Sequence, residues 1–164
     1  MPHTTPCPGC GAAFAPAEGP VHAYMTSSPG CWAAFGRVLA AEYSMPHLMP
    51  THQLSVDTYA AQHPGDPADR RAVQSVGLHL ARLWRQLECP TPPMETNDIM
   101  RGFAARKAGL PYLPPPARFT MTVADVAPFA GTAQHGERVL AWARATWQDW
   151  RGAHAAITAW AEGG

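Results

Sequence analysis

The sequence predicts a mainly α protein: a bundle of four to five helices with an irregular, zinc-knuckle-like lobe at its N-terminus. Three observations predict it. Apolar residues recur at helical spacing in several segments after residue 30. Proline and glycine punctuate those segments. Residues 1–30 are rich in Pro, Gly, Ser and Thr, carry no sustained period, and hold Cys7 and Cys10, with Cys31, the third of the four cysteines, directly after them. A chain of 164 residues is long enough to bury its own core, so a single domain is expected over 1–164, with a cysteine-bearing lobe over 1–30 and the bundle over 31–164.

The first helix is predicted over 31–43, CWAAFGRVLAAEY, with Ser27 or Ser28 and Pro29 as its entry and Trp32, Phe35, Leu39 and Tyr43 at helical spacing. The prolines of SMPHLMP break it. A second helix runs over 51–63, THQLSVDTYAAQH, with Thr51 as its cap and Pro64-Gly65 as its end. Asp66-Pro67 opens a third, over 68–87, which Cys89-Pro90 closes. TPPMETND reads as a loop, and 95–108 as a short helix. GLPYLPPPARFTMT is extended, because its prolines lack an amide donor, and TVADVAPF is a short helical turn. One long helix is expected from Ala133 to Glu162.

Composition excludes several function classes. Lys plus Arg number 12 and Asp plus Glu 12, so the formal net charge is zero and no basic excess points to nucleic acid. No apolar run of about 18 residues suggests a membrane span. The N-terminus has no basic-then-apolar leader, which makes the cytoplasm the expected compartment. Thiols stay reduced there, and clustered cysteines bind metal or do redox work more often than they form disulfides. No phosphate-cradling loop, serine elbow or carboxylate pair is evident.

Cys7-Pro8-Gly9-Cys10-Gly11 has the form of a zinc knuckle. Two residues of spacing let both sulfurs point at one ion, and the glycines let backbone amides approach those sulfurs. Structural zinc takes four ligands in a closed tetrahedron. Cys31 supplies the third, at a helix start that favours its thiolate. His22, inside the loop, is the first choice for the fourth, with His52 and His63 next. Cys89 is remote and reads as a spare apolar residue. Structurally inert cysteines are one alternative, and a thioredoxin-like redox pair is another, though no strand precedes the motif. Three clustered cysteines favour zinc over an iron–sulfur cluster.

Helical phase makes a second argument. His52, Val56, Tyr59 and His63 share one face; Ala72, Val76, His79 and Leu83 another; Thr146, Trp150, His154 and Ile157 a third. His52 and His63 lie roughly 16 Å apart along the axis, so they cannot hold one ion. A His₃ centre of His52, His79 and His154 would leave an open position for metal-dependent hydrolysis or transfer, with Asp57 orienting one ligand and Gln53 paired to Asp57. The alternative makes each a core histidine with a local hydrogen bond. Trp142, Trp147, Trp150 and Trp160 read first as core, and otherwise as a protein-interaction face for a homodimer or another partner.

The string CPGCG, GPVHAYMTSSPGCWAAFGRVLAAEYS, HQLSVDTYAAQHPG, QSVGLHLARL and AWARATWQDWRGAHAAITAW resembles an uncharacterised family of small bacterial proteins known only as a domain of unknown function. The resemblance covers nearly the whole chain and implies no activity, substrate or cofactor. Its motif positions fall on Cys7, Cys10, His22, Cys31, His52, Asp57, His63, His79 and His154.

Overall fold

The computed structural model describes residues 2–90 and 93–163, the side chains of residues 93 and 94 apart. It is mainly α, with one small antiparallel ribbon in which β1 (Thr5–Pro6) pairs with β2 (Ala13–Phe14). The helices are α1 (Pro29–Ser44), α2 (His52–Gln62), α3 (Arg70–Glu88), α4 (Pro93–Ala105), α5 (His135–Asp149) and α6 (His154–Glu162), with short 3-10 turns between them. The entry to α1 is as expected: the Cys31 N–H donates to Ser28 Oγ at 3.2 Å, and Pro29 sits in the first turn, where its missing donor costs nothing.

α2 is the central element. Ser55 and every residue from Asp57 to Gln62 are buried. One side of it packs with α3, α5 and α6 around Leu80, Leu83, Trp84, Trp147, Trp150 and Ile157. The other faces α1 and the N-terminal lobe across Phe35, Val38, Tyr59, Val139 and Trp142. Trp142, Trp147 and Trp150 are therefore spent on the interior of the single chain.

Four expectations need correction. The predicted long helix over 133–162 is two helices, because Trp150 leaves helical geometry (φ −80°, ψ 11°). The break turns the Trp150 indole inward, where its Nε1–H donates to the Ala61 carbonyl at 2.9 Å, one of the carbonyls that α2 leaves unpaired at its end. SMPHLMP is not merely a break: Pro46–Thr51 form a 3-10 helix, and the Thr51 hydroxyl donates to the Leu48 carbonyl and to Glu42 instead of capping α2. The cap of α3 is Asp69, which accepts from the Arg71 N–H, and not Asp66-Pro67. TPPMETND is helical from Pro93, since proline suits a first helical turn; Thr91 and Pro92 of that expected loop lie outside the described residues. The extended reading of GLPYLPPPARFTMT and the helical turns of TVADVAPF agree with the structure.

Residues 2–28 contain no helix. Their regular pairing is the two-residue ribbon and one isolated bridge, Met25 to Pro64. A ribbon of that size cannot hold itself together in water. What fastens this lobe to α1 and α2 is a buried cluster of side chains.

Candidate metal centre

The knuckle is built by the backbone. After β1 the chain turns so that the Cys7 N–H donates to the Ala12 carbonyl at 2.8 Å and the Gly11 N–H to the Cys7 carbonyl at 2.9 Å. Gly11 has φ 79°, a left-handed conformation that glycine adopts without strain. Gly9 passes so close to the end of α2 that a Cβ there would stand 2.3 Å from the Thr26 oxygen and 2.6 Å from His63 Cδ2. Gly9→Ala is therefore expected to push the knuckle off His63 and to weaken the hold of these four side chains on any metal ion by about tenfold or more, an effect of the size seen when a ligand's support is disturbed. Competition against a chromogenic chelator measures it, and unchanged affinity would contradict the packing described.

Cys31 enters from the first turn of α1 and His63 from the C-terminal cap of α2. The His63 ring stacks on Tyr59 with centroids 3.9 Å apart. Its Nδ1–H donates to the Tyr59 carbonyl at 2.6 Å, which leaves Nε2 bare and aimed at the cluster. Nε2 lies 3.3 Å from the Cys31 sulfur, and the sulfurs of Cys31 and Cys10 are 3.8 Å apart. The four ligand atoms of Cys7, Cys10, Cys31 and His63 all lie within 4.8 Å of one another, and all four residues are buried. A tetrahedral zinc with ordinary bond lengths requires edges of about 3.8 Å between sulfurs and about 3.5 Å between sulfur and nitrogen. The donor set and its spacing fit that ion.

The thiols also conflict with one another in the way a cation resolves. Hydrogen bonds from Cys10 and Cys31 hold the Cys7 thiol well below the usual range. For Cys10 the contact with Cys31 favours the thiolate, but the Cys7 sulfur and burial prevail and push it up to about 12. Contacts with Cys10 and Cys7, then burial, push Cys31 upward as well. One negative charge is accommodated and the next two are opposed, as expected of like charges in a dry pocket. A divalent cation at the centre reverses that balance.

A family model matches residues 5–151, a span that includes all four converging side chains. The chain belongs to the family of unknown function DUF5946. No curated protein and no solved structure matches it.

In this DUF5946 chain the other histidines go elsewhere. His22, the first choice for the fourth corner, lies outside the cluster: its Nδ1 accepts the Tyr24 N–H at 3.1 Å within its own turn, and the corner is filled by His63. The His₃ centre is not formed. His52 Nδ1 donates to Glu42 Oε2 at 3.0 Å, and its Nε2 faces the Tyr43 hydroxyl. His79 Nδ1 donates to Asp57 Oδ1 at 2.7 Å. His154 stacks on Trp147 and donates from Nε2 to the Trp147 carbonyl at 2.7 Å, closing the end of α5. Each of these three satisfies a local partner, as the core-histidine alternative expects. Among the described residues no second group of three or more His, Cys, Asp or Glu brings one ligand atom from each to within 4.8 Å of all the others.

Asp57 is paired with Gln53 as expected, at 2.9 Å, and also accepts from Gln86 Nε2 at 2.7 Å. It is fully buried, with Arg82 Nε 3.4 Å from Oδ1, close enough for charge but misaligned for a hydrogen bond.

A second buried acid escaped the sequence reading. Glu42 Oε1 accepts from Ser55 Oγ, from Thr51 Oγ1 at 3.2 Å and from His135 Nε2 at 3.1 Å, while His52 serves Oε2. His135 is held as a donor at Nε2 because its Nδ1 accepts the Gly131 N–H at 3.0 Å. The signal was present: Cys31, Phe35, Val38 and Glu42 form the buried stripe of α1, and an acid on such a stripe needs donors from its neighbours.

Proposed function

We propose that this protein binds one zinc ion through Cys7, Cys10, Cys31 and His63, and that the ion serves to fasten the N-terminal lobe onto α1 and α2. The observation that carries the reading is the set of 3.8 Å and 3.3 Å edges, close to those of a zinc tetrahedron. Three thiolates and an imidazole suit zinc better than the oxygen-seeking cations. All four corners are supplied by the chain and all are buried, so no position is open to water or substrate. That favours a structural over a catalytic role. The reading goes with a reducing compartment, where the thiols stay available.

Purified from zinc-supplemented cells, the protein is expected to carry close to one equivalent of zinc by elemental analysis. His63→Ala should lose most of it and His22→Ala should keep it. A zinc-free wild-type preparation with an ordered lobe, or loss of zinc in His22→Ala with retention in His63→Ala, would refute the assignment.

A further inference from the structure

A Cys₃His zinc centre carries a net charge of −1, because three thiolates outweigh the ion and the imidazole is neutral. In a buried site that charge must be met by hydrogen-bond donors. The three cysteines are placed differently. Cys7 and Cys10 lie in the knuckle turn, where the Cys7 N–H donates to the Ala12 carbonyl and the Gly11 N–H to the Cys7 carbonyl. Cys31 sits in the first turn of α1, and its own N–H is taken by Ser28. Among the described residues, the donor bonded to its sulfur from outside the ligand set is the Tyr59 hydroxyl, at 3.4 Å.

Tyr59 touches the centre in two further ways. Its carbonyl accepts from His63 Nδ1 at 2.6 Å and so fixes the imidazole tautomer. Its ring is clamped between Phe35, stacked at 4.0 Å, and His63, stacked at 3.9 Å. The hydroxyl is therefore held at Cys31 by a ring that cannot swing away, and the whole residue is excluded from water.

We propose that Tyr59 is the positioning residue of this metal centre: its hydroxyl offsets the negative charge on the Cys31 sulfur while its carbonyl orients His63. The proposal rests on the Cys₃His reading above. It implies that the hydroxyl makes the Cys31 thiolate less electron-rich than it would otherwise be, and that losing one oxygen atom alters the metal's electronic environment without altering its ligands.

Tyr59→Phe tests this, because it keeps the ring and the carbonyl and removes only the hydroxyl. Both proteins are loaded with cobalt(II), whose sulfur-to-metal charge-transfer and ligand-field bands report thiolate donation and tetrahedral geometry. The variant's charge-transfer band is expected to move to lower energy, since an unbonded thiolate gives up its electrons more easily. Its zinc affinity should fall roughly tenfold. Incorporation of 3-fluorotyrosine, whose more acidic phenol makes a stronger donor, should move the same band to higher energy in the wild-type sequence; this arm holds even if Tyr59→Phe folds poorly. Superimposable cobalt spectra in all three proteins, with zinc affinity unchanged within twofold, would overturn the proposal. If wild type takes up cobalt without tetrahedral thiolate bands, the Cys₃His reading itself fails and takes this inference with it.

Discussion

Replacing Cys31 with serine is expected to strip the metal from the protein and to release residues 2–28 from the helices. Cys31 is the corner that α1 contributes, and its sulfur is in contact with Cys10 and within 3.3 Å of His63. Apparent binding energies of structural zinc are about 10–16 kcal/mol, comparable to or larger than the whole stability of a typical domain at about 5–15 kcal/mol. The lobe has little to set against such a loss, having a two-residue ribbon, one bridge, and the packing of Phe14 and Met25 on the core beneath. Hydrogen exchange resolves the outcome by segment. Amides of the knuckle turn, among them Cys7 and Gly11, should lose protection, whereas the amides of α3, α5 and α6 should keep most of theirs. Wild-type protection across the knuckle in the serine variant would mean that packing, not metal, orders the lobe.

Glu42→Ala is expected to destabilise the helical body by about 3–5 kcal/mol, the cost of breaking a buried charged network from one side. Four side-chain donors lose their acceptor, and Ser55 and His135 among them are excluded from solvent, so water cannot replace it. For a chain of this length the melting temperature should fall by roughly 10 °C. Metal content should not change, because Glu42 lies eleven residues beyond Cys31 on α1, roughly 16 Å along the helix axis. Thermal denaturation with parallel zinc analysis checks both halves. A drop of under about 2 °C would show that relaxation or water satisfies those donors.

Much of this architecture was legible in the sequence because it depends on local signals. Helical spacing and Pro/Gly punctuation place α1, α2 and α3 to within a few residues, and Ser28-Pro29 marks the start of α1 correctly. Cys7 and Cys10 were legible for the same reason, since CxxC spacing is a local constraint on where two sulfurs point, and Cys31 was legible from its place at the start of a helix. The fourth corner was not. His22 is nearer in sequence, but which histidine faces the cluster is decided by how the end of α2 packs on the knuckle, through Gly9 against His63 and Met25 against Pro64. The break at Trp150 escaped for a related cause. Nothing in ATWQDWRGAHAA forbids a continuous helix, and the turn is selected by the unpaired Ala61 carbonyl on another element and by the His154 ring that closes α5. The His₃ centre failed because phase along three helices says which face a histidine occupies, not which partner is nearest on it. Asp57, Glu42 and the Trp147 carbonyl each claimed one.

X-ray absorption at the zinc edge tests the central claim most directly, since it counts ligands by element and distance on the protein as purified. The account predicts three sulfurs at about 2.3 Å and one nitrogen at about 2.0–2.1 Å, with no water oxygen in the shell. A shell of two sulfurs with several light atoms, or a fifth ligand from solvent, would contradict a closed Cys7–Cys10–Cys31–His63 centre.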